Sequence, residues 1–321
     1  MTKLKTNKRR LTSRTLAHSN ALPSKVGKPH VLHIHDSIKA FMDYAKADSG
    51  DDAANDAARK WLNNDARRTE FEGDTTHNMA AHYLLHGNAR LAEQSKALLA
   101  RLSRVHIATK ETIRISSPVG GKVCVPAMLS GSPVAMRRRK NKYNETAPLD
   151  IVYNASSSMG ISAQTLETVG VAVAALVQKL SATRQVNFYL CYAGMHCAND
   201  LTSVQLIKFA TSPMDASRLA FAASDQIFPR VYGFAAYAKC APDYNALTGE
   251  TRRTHAPHSG TVDWPFESMS YISELGADLK KFWGNDMLYI KALYLDELKA
   301  ITRDPVAWVE KNLRTYQEGG L

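Results

Sequence analysis

Apolar residues recur with different periods along this chain, and the changes of period mark its candidate boundaries. Residues 1 to about 30 have no apolar periodicity, which predicts a disordered arm. Helical spacing follows. Ile38, Phe41, Met42 and Ala45 repeat behind Asp36, a candidate N-cap, and Ala54, Ala57, Ala58, Trp61 and Leu62 form a second apolar stripe. A third helix, capped by Asp74, carries Met79, Tyr83 and Leu84 and stops at Gly87. A fourth carries Leu91, Leu98, Leu99 and Leu102. Together these predict a helical region over 31–110.

From Thr112 to Val125 the period drops to two, interrupted by Pro118 and Gly120-Gly121, which predicts a β-hairpin. A connector follows, so that 111–147 reads as hairpin plus linker. A short apolar run at 149–153 then predicts a strand. It is followed by the polar loop Asn154-Ala155-Ser156-Ser157-Ser158, by helical spacing at Leu166, Val169, Val173, Leu176, Val177 and Leu180, and by a second apolar run at 186–192. Strand, loop, helix and strand in that order predict a parallel crossover unit. Further strands are expected over 204–209 and 287–293, and a helix over 216–223. The last helix has Asp304 as cap and Pro305 at its first position. Residues 229–262 show no assignable pattern. The expected fold class is α/β, with a helical N-terminal region beside a doubly wound, mostly parallel sheet over 148–321.

Charge changes this picture in two places. The formal net charge is +11, and eight Lys/Arg, with no Asp or Glu, precede Val31. Lys8, Arg9 and Arg10 are the densest part of that arm. A second knot, Arg137, Arg138, Arg139, Lys140 and Lys142, sits in the connector next to Tyr143. Such runs either form a solvated face or neutralise phosphates, each contact releasing a counterion. Two basic clusters in one chain favour a nucleic-acid partner. No apolar run approaches the roughly 20 residues of a membrane span, and the arm lacks the apolar core of a secretory signal. The expected setting is therefore cytoplasmic, with no membrane partner. The four cysteines show no metal or disulfide spacing and read as free thiols.

Chemistry is sparse. No phosphate-binding glycine loop, dinucleotide fingerprint, nucleophile elbow or paired-carboxylate motif is present, and the chain reads as non-enzymatic. His30, His33 and His35 alternate along an extended segment without further ligands at zinc spacing. His82 and His86 lie at i,i+4 without the glutamate of a zinc protease, and His255 and His258 fall in a loop. Tyr232, Phe234, Tyr237 and Tyr244 lie near Arg230, Lys239, Arg252 and Arg253. Rings beside cations can form a platform for stacked bases, or belong to the core.

The loop Asn154-x-Ser156-x-Ser158 follows a strand, where an open α/β sheet places its ligands. It resembles the metal-ion-dependent adhesion site of von Willebrand factor A domains, whose motif is Asp-x-Ser-x-Ser. That resemblance implies a Mg²⁺ site completed by Thr261 and Asp296. Asn154 stands where the family has aspartate, which removes a charge a hard cation favours. The competing reading makes Asn154 and the serines the cap of the following helix, with no cofactor. The runs Val123 to Leu129, Gly131-Ser132-Pro133 and Asp304 to Val309 are also similar to a family of bacteriophage proteins without an established activity. That resemblance implies a host-cell cytoplasmic setting and work on viral DNA. One model is the single-stranded-DNA-binding factor with which some phages recruit their polymerase, making a phage polymerase or other phage protein a second partner. The leading expectation is a single-stranded-DNA-binding accessory in transcription or replication. The alternatives are a metal-dependent protein-interaction module and a virion structural component.

Overall fold

The computed structural model describes residues 13–18, 30–63, 77–102, 111–142, 148–155, 161–182, 185–196, 201–209, 211, 215–225, 229–249, 251, 279, 287–290 and 295–318. Its larger sheet is built around the expected apolar run, β6 (Leu149–Asn154). In chain order, β1 (Ser13–His18), β2 (His30–His35), β6, β7 (Val186–His196), β8 (Leu201–Phe209) and β9 (Met287–Ile290) form one six-stranded sheet. Their spatial order is β1-β2-β8-β7-β6-β9. β6 runs parallel to both β7 and β9, and β2 parallel to β8, whereas the β1–β2 and β7–β8 pairs are antiparallel. The fold class is α/β with a mostly parallel sheet.

Burial on both faces explains the continuous apolar composition of β6. Ile151 and Tyr153 face the main core, while Val152 joins Tyr189, Cys191, Val204 and Leu206 on the opposite face. The long helix α6 (Ala163–Ser181) covers the first face. Its N-cap is Ser162, whose hydroxyl accepts the Thr165 N–H at 3.3 Å. Asn154 therefore does not cap this helix. Helix α7 (Ala216–Ser224) packs closely on α6 where Gly170 stands, since a Cβ there would meet Ser224 Cβ at 2.6 Å.

The helical region is not a separate body. Helices α1 (Ile38–Lys46), α2 (Asp52–Leu62), α3 (His77–His86) and α4 (Ala89–Arg101) contribute Phe41, Trp61, Leu84 and Leu91 to the same core as α6. Gly87 ends α3 with φ 86°, as expected. Ser37, rather than Asp36, caps α1. The expected Asp74 cap lies outside the described residues. The terminal helices α10 (Leu295–Arg303) and α11 (Pro305–Glu318) pack on α6, and Asp304 accepts the Ala307 N–H at 3.0 Å as the expected cap.

Three expectations are corrected. Residues 13–18, assigned to the disordered arm, form edge strand β1 against the whole of β2. The hairpin and basic connector form a second sheet, in which β3 (Glu111–Ser117) and β4 (Lys122–Val123) both pair with β5 (Met136–Lys142). β3 and β4 do not pair with each other because the basic knot is the strand between them. Residues 229–248, expected to be irregular, are helical: a π-helical turn over Pro229–Gly233, then α8 (Phe234–Ala238) and α9 (Cys240–Thr248). Among the described residues, no helix is long and apolar enough to cross a membrane.

Candidate functional site

Antiparallel pairing places directly opposed residues on one face of a sheet, and this sorts the basic knot into two sets. Arg137 lies opposite Lys122 on one side and Ser116 on the other; Arg139 lies opposite Arg114, and Asn141 opposite Thr112. Backbone register therefore puts positions 112, 114, 116, 122, 137, 139 and 141 on one face of the small sheet. Lys122, Arg137 and Ser116 are exposed on it. Positions 111, 113, 115, 117, 123, 136, 138, 140 and 142 fall on the other face, where Glu111 stands opposite Lys142 and Arg138 opposite Ile115. Alternation of polar and apolar positions along β3 divides the faces, and the same alternation places the arginines of β5.

The other candidates are scattered. Lys8, Arg9, Arg10, Tyr143, Arg252 and Arg253 lie outside the described residues. Tyr232 and Tyr237, expected to present rings to bases, are 3% and 8% exposed, and Tyr244 is 1% exposed. Helix formation over 229–248 turns these rings into the core, so they offer no stacking platform. Lys239 is buried as well: its ammonium donates to the carbonyls of Tyr44 (2.8 Å), Ala45 (2.6 Å) and Ala47 at the end of α1. Its three N–H groups meet carbonyls at the negative end of a helix, a setting that compensates a buried cation.

The end of β6 lies where the sheet order reverses, since β6 has β7 on one side and β9 on the other. Asn154 is fully buried there, and its amide donates to the Tyr289 hydroxyl at 3.1 Å. Ser156, Ser158 and Thr261 lie outside the described residues, and Asp296 is exposed in the first turn of α10. Among the described residues, no group of three or more His, Cys, Asp or Glu side chains is placed to hold a metal ion.

A buried polar network lies at the β2–β8 end of the sheet. The Gln205 amide donates to His33 Nδ1 (2.9 Å) and to Ser203 Oγ (2.8 Å). That leaves the His33 proton on Nε2, where it is donated to Asp243 at 2.8 Å; Tyr44 donates to the same carboxylate oxygen. His35 donates from Nε2 to the Gln205 carbonyl oxygen at 2.8 Å, which leaves its buried Nδ1 without a hydrogen bond. Desolvation by burial holds His35 neutral, down at about 3, although the Gln205 bond opposes it. All these side chains are at most 7% exposed, so the network ties β2, β8, α1 and α9 together and offers no opening to a substrate. The alternating His33 and His35 beside Val31, Leu32 and Ile34 were its sequence signal. Gln205 and Asp243, 172 and 210 positions away from His33, left none.

A family model described as a domain of unknown function (DUF7192) matches residues 9–305. No curated protein and no solved structure matches the chain.

Proposed function

We propose that this chain, which belongs to the DUF7192 family, binds nucleic acid through the cationic face of the β3-β5-β4 sheet, without base recognition. The observation that carries the reading is the register. Lys122 is directly opposite Arg137, and Arg114 directly opposite Arg139. Like charges facing one another destabilise a strand pair. A phosphate backbone laid across them neutralises that repulsion, and each contact releases a counterion. Because Tyr232, Tyr237 and Tyr244 are buried, residues 229–248 lend no aromatic support to a preference for single strands. The reading is of phosphate contacts that position a strand rather than specify its sequence. A non-catalytic role in phage transcription or replication, in the host cytoplasm, rests on the sequence resemblance alone.

Fluorescence anisotropy with labelled single-stranded and duplex oligonucleotides across a salt series tests this. Replacing Lys122, Arg137 and Arg139 by Gln is expected to weaken binding equally for all sequences. The logarithmic salt slope is expected to fall by about 0.7 per lost contact on single strands and about 0.9 on duplex. Absence of binding by the unmodified protein at low salt would overturn the proposal.

A further inference from the structure

Eight large apolar residues are exposed among the described residues, and six of them, Val119, Val123, Val125, Met128, Leu129 and Val134, fall within the small-sheet segment. Helix α5 (Val125–Leu129), which follows β4, buries none of its residues; Met128 is 63% exposed and Leu129 83%. This segment is nevertheless held in a defined conformation. Cys124 N–H reaches the Ala135 carbonyl at 2.7 Å, closing the loop that contains α5. Gly131, at φ 70°, ends the helix, and Ser132 N–H returns to the Ala127 carbonyl at 2.9 Å. An ordered backbone that keeps Met and Leu in water loses the stabilisation their burial would supply, which is the mark of a surface built for a partner.

We propose that α5 and the adjoining loops dock an acidic, amphipathic protein segment. Charge identifies the partner. Between Glu111 and Glu145 the chain has seven Lys/Arg and no Asp or Glu. Exposed Arg138 shares its face with Val123 and Met136, which sets a cation at the edge of apolar surface. An apolar stripe flanked by carboxylates complements that combination. A second copy of this chain does not, since it would bring the same acid-free, basic segment against its counterpart. Bases fit poorly too: residues 112–142 contain no Phe, Tyr or Trp on which to stack. Anionic lipid shares the charge, but the aromatic side chains that anchor proteins at a membrane interface are missing here as well.

The probe is a fluorescein-labelled synthetic helix of about 18 residues, with Leu on one face and Glu elsewhere. Its control has the same composition, permuted so that the leucines no longer share a face. The amphipathic peptide is expected to bind the full-length protein at least about tenfold more tightly than the permuted one. The double substitution Met128→Ser, Leu129→Ser is expected to abolish that difference while leaving oligonucleotide affinity and the melting temperature unchanged. Equal binding of the two peptides would reduce the surface to charge alone and overturn the proposal. So would unaltered peptide binding by the double variant. Flotation with phosphatidylserine vesicles in the absence of peptide binding would assign the patch to lipid, and a dimer in sedimentation that the double variant abolishes would assign it to self-association. Either result displaces the protein partner. Loss of oligonucleotide binding alone, with peptide binding intact, would refute the nucleic-acid reading and leave this one standing.

Discussion

Asn154 donates its amide to Tyr289 from the last residue of β6, so a neighbouring strand helps to hold its side chain. Replacing Asn154 by Ala removes a buried hydrogen bond and is expected to lower stability by about 1–3 kcal/mol. The double variant with Tyr289→Phe should cost less than the sum of the two single changes, and urea unfolding of all four proteins measures the coupling. Calorimetric titration with Mg²⁺ separates this from the adhesion-site resemblance: saturable binding lost in Asn154→Ala would favour the metal. His35 is expected to contribute to the loss of stability in acid. Its folded value near 3 lies below the ordinary 6.5. Between those values the unfolded chain binds more protons than the folded one. This contribution is therefore complete above pH 6.5 and is lost as pH falls toward 3, by up to about 1.4 kcal/mol per unit. His35→Gln is expected to flatten that slope in urea titrations taken from pH 7 to 4. An unchanged slope would assign the acid sensitivity to other groups.

Helix α6 meets α7 through a position that tolerates no side chain. Gly170→Ala gains about 1 kcal/mol of helix propensity in isolation. Here the new methyl meets the Ala220 carbonyl and Ser224, and the net outcome is expected to be destabilising by about 1–3 kcal/mol. A rise in melting temperature would mean that the two helices separate readily. The small sheet makes the opposite kind of prediction. Lys122→Gln removes a like-charge pair with Arg137 and is expected to stabilise the free protein by a few tenths of a kcal/mol while weakening oligonucleotide binding. Stability and binding moving in opposite directions is the expected behaviour of a charged binding surface. If both fall together, Lys122 holds the strand rather than the ligand.

At the scale of the molecule, deleting the edge strand β1 and deleting the acid-free arm before it are expected to have different effects. Residues 1–12 have no periodic apolar face, and their removal is expected to leave the melting temperature unchanged while reducing polyanion affinity. Extending the deletion through residue 18 strips β1 from β2, uncovering the strand that carries His33 and His35. That longer truncation is expected to melt several degrees lower and to aggregate more readily, because it exposes the unpaired edge of a buried strand. Circular dichroism melts of both truncations, with light scattering, make the comparison. Identical melts would return β1 to the arm.

Local pattern by itself determined a good deal. Continuous apolar composition marked β6 and β7, helical spacing marked α1, α2, α4 and α6, and Gly87 and the Asp304-Pro305 pair marked where helices stop and start. Each of these signals acts over a few neighbouring residues, through backbone geometry and the burial of one face. Sequence also set the basic knot beside an apolar run, the two ingredients of both proposed surfaces. It left open that Arg137 to Lys142 is the middle strand of a sheet, because charge carries no strand period until partners on either side give it faces. It left Tyr232 and Tyr237 open between core and platform, since a ring beside arginines reads alike in both. The partners that His33 finds in Gln205 and Asp243, and the Asn154–Tyr289 bond, were beyond local reading. Hydrogen bonds between side chains more than a hundred positions apart depend on which strands the fold makes neighbours, and only the tertiary structure decided that.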